Sequence, residues 1–267
     1  MICLIHSSEA RKVSDNLTDG KCDMPYKFSQ NANHEDLSCG RVIYHKAGFT
    51  NYPVRLVCEI FERCLHIISE PNKKVCVYDP CCGGGYILTV LGFLYGERIE
   101  SLYGSDISLE AIGITEQNMG LLTYKGLHNR KEQLKSLYET YGKDSHCQAI
   151  KSADNLLELI RHTISTNVFV RDILNRNGII ANHSFTADII ISDVPYGNNV
   201  SWSNDNPFAI DAMLDNLSDN LSKNAVIAVS SDKRQKMANH RYKRIEKFIV
   251  GKRKVEILRK ILLNIDM

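Results

Sequence analysis

Apolar residues recur along this chain in two rhythms. Val54, Val57, Cys58, Phe61, Cys64, Leu65 and Ile68 repeat at helical spacing. Asn51 stands where a cap is wanted and Pro53 in the first turn, while Pro71 marks the end. From residue 75 onward short, nearly continuous apolar runs take over: Val75–Tyr78, Leu102–Asp106, Asn167–Asp172, Ala187–Asp193 and Ala225–Val229. Such runs predict buried strands. Helical patterns separate them over 86–95, 108–120 and 207–222, the last carrying Ile210, Met213, Leu214, Leu217 and Leu221. Residues 1–38 have no periodicity and read as an irregular N-terminal extension, followed by a short strand at Arg41–His45.

Strand, turn and helix in alternation predict a parallel sheet covered on both faces, with its ligand beyond the carboxyl ends of the strands. The last stretch breaks the alternation. Runs at 245–250 and 255–262 flank Gly251-Lys252-Arg253-Lys254 and predict an antiparallel hairpin. The expected fold is therefore α/β and Rossmann-like: a mostly parallel, seven-stranded sheet finished by an antiparallel C-terminal hairpin. This looks like the class I S-adenosylmethionine-dependent methyltransferase fold. Residues 39–267 would form one such domain. Leu127, Leu134, Leu137, Tyr138 and Tyr141, then Leu156, Leu157, Leu159 and Ile160, predict a helical hairpin inserted at 123–165. That insertion is expected either to touch substrate at the ligand edge or to cover the core.

With 267 residues, 43% hydrophobic and 24% charged, the chain can bury a full core, which excludes a disulfide-stapled or disordered protein. Its longest apolar run, Tyr86–Tyr95, is about half of the roughly 20 residues a membrane span needs. The N-terminus lacks the form of a signal peptide, so the nine cysteines read as reduced thiols of a cytoplasmic, by default monomeric, protein. They have no zinc-type spacing, and no metal is expected. The net charge of +2 hides an asymmetry: residues 233–260 hold 12 Lys or Arg against two Glu. Such a block is either a solvated face or the footprint of a polyanion, nucleic acid first.

The strand ends supply the candidate chemistry. Asp79-Pro80-Cys81-Cys82-Gly83-Gly84-Gly85 is a glycine turn opening a helix, where backbone approaches a ligand closely. Gly83 and Gly85 are followed by Leu88, so the third glycine of a dinucleotide fingerprint is missing. Asp79 would repel a phosphate but suits the ammonium and sulfonium of S-adenosyl-L-methionine. Asp106 lies 27 positions further on and can accept both ribose hydroxyls. Asp172 can accept the adenine amino group. Asp193-Val194-Pro195-Tyr196 follows an apolar strand and resembles the [DN]-x-P-[YF] motif of methyltransferases acting on amino groups. There the Asp193 carboxylate and Val194 carbonyl would face the nitrogen, Pro195 would hold Val194 extended, and Tyr196 would stack on a flipped-out base. Trp202 either walls that pocket or joins the core.

These stretches, together with Tyr52-Pro53-Val54-Arg55-Leu56, Gly85-Tyr86-Ile87-Leu88-Thr89-Val90-Leu91-Gly92 and Ile249-Val250-Gly251-Lys252-Arg253, resemble the avilamycin-resistance rRNA methyltransferase family, AviRa. The resemblance runs from about Cys39 to Lys260. It implies a methyltransferase acting on a guanine of large-subunit (23S) ribosomal RNA, with S-adenosyl-L-methionine as cofactor. Arg55, Trp202, Lys252 and Arg253 are then expected at the RNA. Asn198-Asn199-Val200-Ser201 stand where the family has charged residues. Two other readings remain at this point: methylation of a DNA adenine or protein amide, and a non-catalytic RNA-binding or ribosome-assembly factor.

Overall fold

The computed structural model describes residues 26–49, 52–176, 185–195, 202 and 208–261. Seven strands form one sheet: β1 (Val75–Asp79), β2 (Ile99–Asp106), β3 (Ser165–Val170), β4 (Ala187–Asp193), β5 (Leu221–Asp232), β6 (Tyr242–Val250) and β7 (Arg253–Lys260). Their order is β3-β2-β1-β4-β5-β7-β6. The first five strands pair in parallel, and β7 runs antiparallel to both β5 and β6. The sheet is thus the expected class I methyltransferase arrangement.

Helix α1 (Val54–Ile68) precedes the sheet; α2 (Tyr86–Tyr95) and α3 (Leu109–Gly120) follow β1 and β2; α4 (Tyr124–Tyr141) and α5 (Asp144–Leu157) form the inserted hairpin; α6 (Ala209–Leu217) precedes β5. Strand alternation sorts the core in two. Ile189, Ile191, Val255 and Ile257 join α1, α2 and the insertion on one face, while Ile190, Ile227 and Leu258 meet α6 on the other.

Several boundaries differ from expectation. The third strand ends at Val170, so Asp172 lies just beyond it. Helix α6 stops at Leu217, and Leu221 already opens β5, because buried strand pairing captures the apolar residues that extended the helical pattern. Pro53 occupies the cap position of α1, and Asn51 lies outside the described residues. Residues 41–45 form a turn rather than a strand: Asn118 on α3 accepts from the Tyr44 N–H and donates to its carbonyl, replacing a strand partner. The insertion covers this segment, with Arg130 donating to the Val42 carbonyl and stacking over Tyr44. Both of its ends attach opposite the ligand edge, since α3 runs back from the end of β2.

The expected boundary at residue 38 is also not where packing begins. Residues 26–38 are irregular apart from a short helical turn, yet they are held by a buried carboxylate on α1. Glu59, fully buried, accepts from the backbone N–H groups of Lys27, Phe28 and Ser29 at 2.7, 2.8 and 2.8 Å. Arg63 donates to it at 2.7 Å and reaches Glu246 on β6 at 2.6 Å. Burial alone would raise the Glu59 carboxyl; the three amides and Arg63 outweigh it and hold it below the ordinary range. A carboxylate with four donors around it is satisfied inside a core, but those donors depend on it in turn. Glu59→Ala is expected to cost about 3–5 kcal/mol, because it leaves three amides without their acceptor and buried Arg63 with Glu246 alone. Denaturant unfolding of the variant checks this.

Candidate active site

The strand order reverses between β1 and β4, and in an open parallel sheet the crevice opens at such a point. Asp79 ends β1 there, 2% exposed. Its Oδ1 accepts from the Ser192 hydroxyl of β4 at 2.8 Å and from the Cys81 N–H at 3.1 Å. Burial raises the Asp79 carboxyl to about 7, with the Asp106 and Asp193 charges adding to the rise and its two hydrogen bonds opposing it. Ser192 therefore bridges the crevice, a role that its position inside an apolar strand gave no reason to expect.

The glycine turn is pinned from three sides. Asp106 at the end of β2 accepts from the Gly83 N–H at 3.0 Å and from the Ser108 N–H at 2.9 Å. From α3, the Thr115 hydroxyl donates to the Gly83 carbonyl at 2.7 Å, and the Asn118 amide to the Gly84 carbonyl at 2.8 Å. Gly83 and Gly85 have φ of 53° and 72°, where L side chains are strained. A Cβ on Gly85 would also lie 2.6 Å from the Thr115 methyl. Two glycines thus let the turn lie flat on α3 at the start of α2.

A cleft of about 100 Å³ opens beside the turn, lined by Pro80, Cys81, Asp106, Asp172, Pro195 and Trp202 among others. Trp202 both walls this cleft and packs against the core around α6, so its two expected placements coincide. Asp172 accepts from the Leu174 N–H at 3.0 Å. Ile107, 54% exposed, and Ile173 add apolar walls that the sequence reading did not single out. An isoleucine in the polar turn Asp106-Ile107-Ser108 was the available signal. Buried Arg171 forms the floor, donating to Tyr78, Asn220 and the Asn216 carbonyl. Burial, with Asp79 and Asp106 close by, pushes the Cys81 thiol well up, which argues against a nucleophile.

Asp193 ends β4, 12% exposed in its side chain, on the sheet face that carries Ile189 and Ile191. Val194 donates to the Ser230 carbonyl at 3.0 Å, and Gln235 donates to the Pro195 carbonyl at 3.2 Å, which fixes the backbone beyond the strand. Tyr196 lies outside the described residues.

The four residues expected at RNA separate. Trp202 stands at the cleft and Lys252 is exposed in the β6–β7 turn. Arg55 instead donates to the Ser29 carbonyl at 3.2 Å and stacks on Tyr26, tying the N-terminal segment to α1. Arg253 turns inward, 3.6 Å from the Asp193 carboxylate and over the Tyr52 ring. Each guanidinium thus has a partner of the chain's own, whereas Lys252 points into solvent. The basic block is partly neutralised in the same way: Lys254 and Arg244 pair with buried Glu256, and Arg241 with Asp215.

The arrangement suits a cationic ligand carrying a nucleoside. Burial, with two further carboxylates, Asp106 and Asp193, close by, raises Asp79, an environment that a phosphate would worsen and a cation relieve. The folded-state rise of Asp79 has a definite sign. Its contribution to stability is full below the ordinary carboxylate range and is lost as pH rises through about 7. Without ligand the wild type is therefore expected to lose roughly 3 kcal/mol relative to Asp79→Asn between pH 5 and pH 8, one pKa unit being worth about 1.4 kcal/mol. Urea unfolding of both proteins across that range is the measurement.

Among the described residues, no helix is long and apolar enough to cross a membrane. Residues 24–253 match the family described as rRNA methyltransferase AviRa, a match that starts upstream of Cys39 and includes the segment docked on Glu59. The chain is 31% identical over 229 residues to the 23S rRNA (guanine(2535)-N(1))-methyltransferase of Streptomyces viridochromogenes, covering 84% of this chain and 91% of that one. It also superposes on a structure titled rRNA methyltransferase aviRa from the same organism. There the TM-score is 0.77 and the identity 29%, over 86% of this chain and 94% of that one. A second structure with that title gives a TM-score of 0.76. With the sheet order, the glycine turn and the carboxylates at the crevice all in place, this chain belongs to the rRNA methyltransferase AviRa family.

Proposed function

We propose that the protein methylates N1 of a guanine in 23S ribosomal RNA, using S-adenosyl-L-methionine. The observation that carries this reading is the carboxylate-lined crevice, with Asp79, Asp106 and Asp172 on the cofactor side and Asp193 at the outer end of β4. The guanine and its N1 position come from the name of the 31% identical relative. Residues 39–261, with residues 26–38 docked on them and 123–165 inserted, would act as one catalytic domain.

Asp79 would face the cationic methionine end, where Cys81, Gly83 and Gly85 leave room for it. Asp106 already accepts two backbone N–H groups, and a carboxylate has lone pairs for about four donors. Its remaining capacity suits the ribose hydroxyls. Asp172 and the Ile107 and Ile173 walls would take the adenine between an acceptor and apolar surface. When bound, the cofactor supplies a methyl group already activated by its sulfonium.

N1 of guanine is a lactam nitrogen, and its lone pair is drawn into the adjacent carbonyl. The nitrogen becomes nucleophilic as its proton leaves. Asp193 would accept that proton as the N1–carbon bond forms and the carbon–sulfur bond breaks; the proton would then pass to solvent. Pro195 keeps Val194 extended, and the Ser230 and Gln235 hydrogen bonds hold this backbone still. Catalysis is then largely positioning. The amino-group chemistry expected of the Asp193-Val194-Pro195-Tyr196 motif gives way to acceptance of a single ring proton by the same carboxylate.

Labelled methyl from S-adenosyl-L-methionine is expected in 23S rRNA and not in DNA or 16S rRNA when these are offered side by side. Label in DNA, or in no RNA despite cofactor binding, would sink this reading. Asp193→Ala is expected to lose about 10²-fold or more in transfer rate while binding cofactor as the wild type does. For the exposed cation of the β6–β7 turn, Lys252→Ala should weaken RNA binding similarly across sequences and reduce the salt slope by about one. Filter binding over a salt series reads both.

A further inference from the structure

The pairing of Asp193 with Arg253 stands at the outer end of the site. Arg253 opens β7, and across the sheet it lies level with Asp232 on β5, while Asp193 lies level with Ser230. Arg253 therefore sits two residues further toward the ligand edge than Asp193, on the same sheet face as Val255 and Asp193. Its guanidinium is 3.6 Å from the carboxylate, longer than a direct hydrogen bond, and 4.8 Å from the centre of the Tyr52 ring. Its side chain is 19% exposed. The Tyr52 ring and the Asp193 carboxylate thus both flank the guanidinium.

Guanine offers two donors and one acceptor on the edge that carries N1: the exocyclic amine, the N1–H and the O6 carbonyl. A complementary site needs carboxylate oxygens beside a donor. Adenine presents a donor beside an acceptor at N1 and would set its amine against the arginine. When N1 loses its proton, the negative charge spreads onto O6, and a fixed cation there lowers the cost of that charge.

We propose that Arg253 is a specificity-determining and catalytic residue: with Asp193 accepting from the N1–H, its guanidinium donates to O6 of the target guanine and stabilises the charge that develops there. This rests on the guanine-N1 reading above. Among the described residues, the charged and titratable groups around Arg253 include Asp193 from β4, Asp232 from the adjacent strand β5 and Tyr52 from the segment leading into α1. Tyr52 serves to orient the guanidinium.

The test compares wild type, Arg253→Lys and Arg253→Met in single-turnover methyl transfer to 23S rRNA from pH 6 to pH 9.5, with cofactor affinity and melting temperature measured alongside. Arg253→Met is expected to lose about 10²-fold at neutral pH, the effect of removing one donor from a developing oxyanion. Its rate should climb more steeply with pH than that of the wild type, because alkali removes the N1 proton without the arginine's help. Arg253→Lys keeps the charge but not the planar fork and should fall between. Cofactor affinity should match wild type in both variants. A uniform loss at every pH, or a rate equal to wild type in Arg253→Met, overturns the role of Arg253 alone. Absence of methyl transfer by the wild type itself overturns the guanine-N1 reading and this inference together.

Discussion

The hydrogen bond from Ser192 to Asp79 joins the two strands that part at the crevice, and the site is organised around it. Asp79 is a carboxylate with almost no access to water, surrounded by two further carboxylates that disfavour its charge. It persists because a hydroxyl from β4 and an amide from its own turn satisfy it. The same bond keeps the end of β1, which opens the glycine turn, in register with the end of β4, which carries Asp193. The two sides of the crevice are thereby held by one short link.

The glycine turn shows how a flexible sequence becomes rigid. Three consecutive glycines have the least side-chain matter of any stretch in the chain. Asp106, Thr115 and Asn118 supply the missing constraints by bonding Gly83 and Gly84 backbone groups directly. Asn118 also holds both backbone groups of Tyr44, so the turn, helix α3 and the segment under the insertion form one connected body.

Much of this was legible in the sequence. Buried parallel strands leave long apolar runs, which is why β4 at Ala187–Asp193 and α2 at Tyr86–Tyr95 stand where the pattern placed them. Asp79, Asp106 and Asp193 were found because a carboxylate at the end of an apolar run is conspicuous. What escaped was partnership. Arg253 and Lys252 are neighbours in a run of like charges, yet the strand pleat sends one inward to Asp193 and leaves the other in water. Arg55 has the composition of a surface cation and is committed to Tyr26 and Ser29. Ser192 carries no signal of its own, since its role exists only once β1 and β4 are brought together. The failed strand at residues 41–45 has the same cause: a single asparagine from α3 replaced an entire strand partner.

The docking of residues 27–29 onto Glu59 changes what counts as the core of this protein. Three amides in a stretch without helix or strand are bonded to one of the most deeply buried carboxylates in the chain. Releasing them requires hydrating that charge, so the segment cannot fray independently in the way that chain ends commonly do. The boundary of the cooperative folding unit is therefore set by an acceptor on α1 and not by the onset of regular structure. A shortened chain beginning at the first helix would leave that buried carboxylate with Arg63 alone in place of four donors.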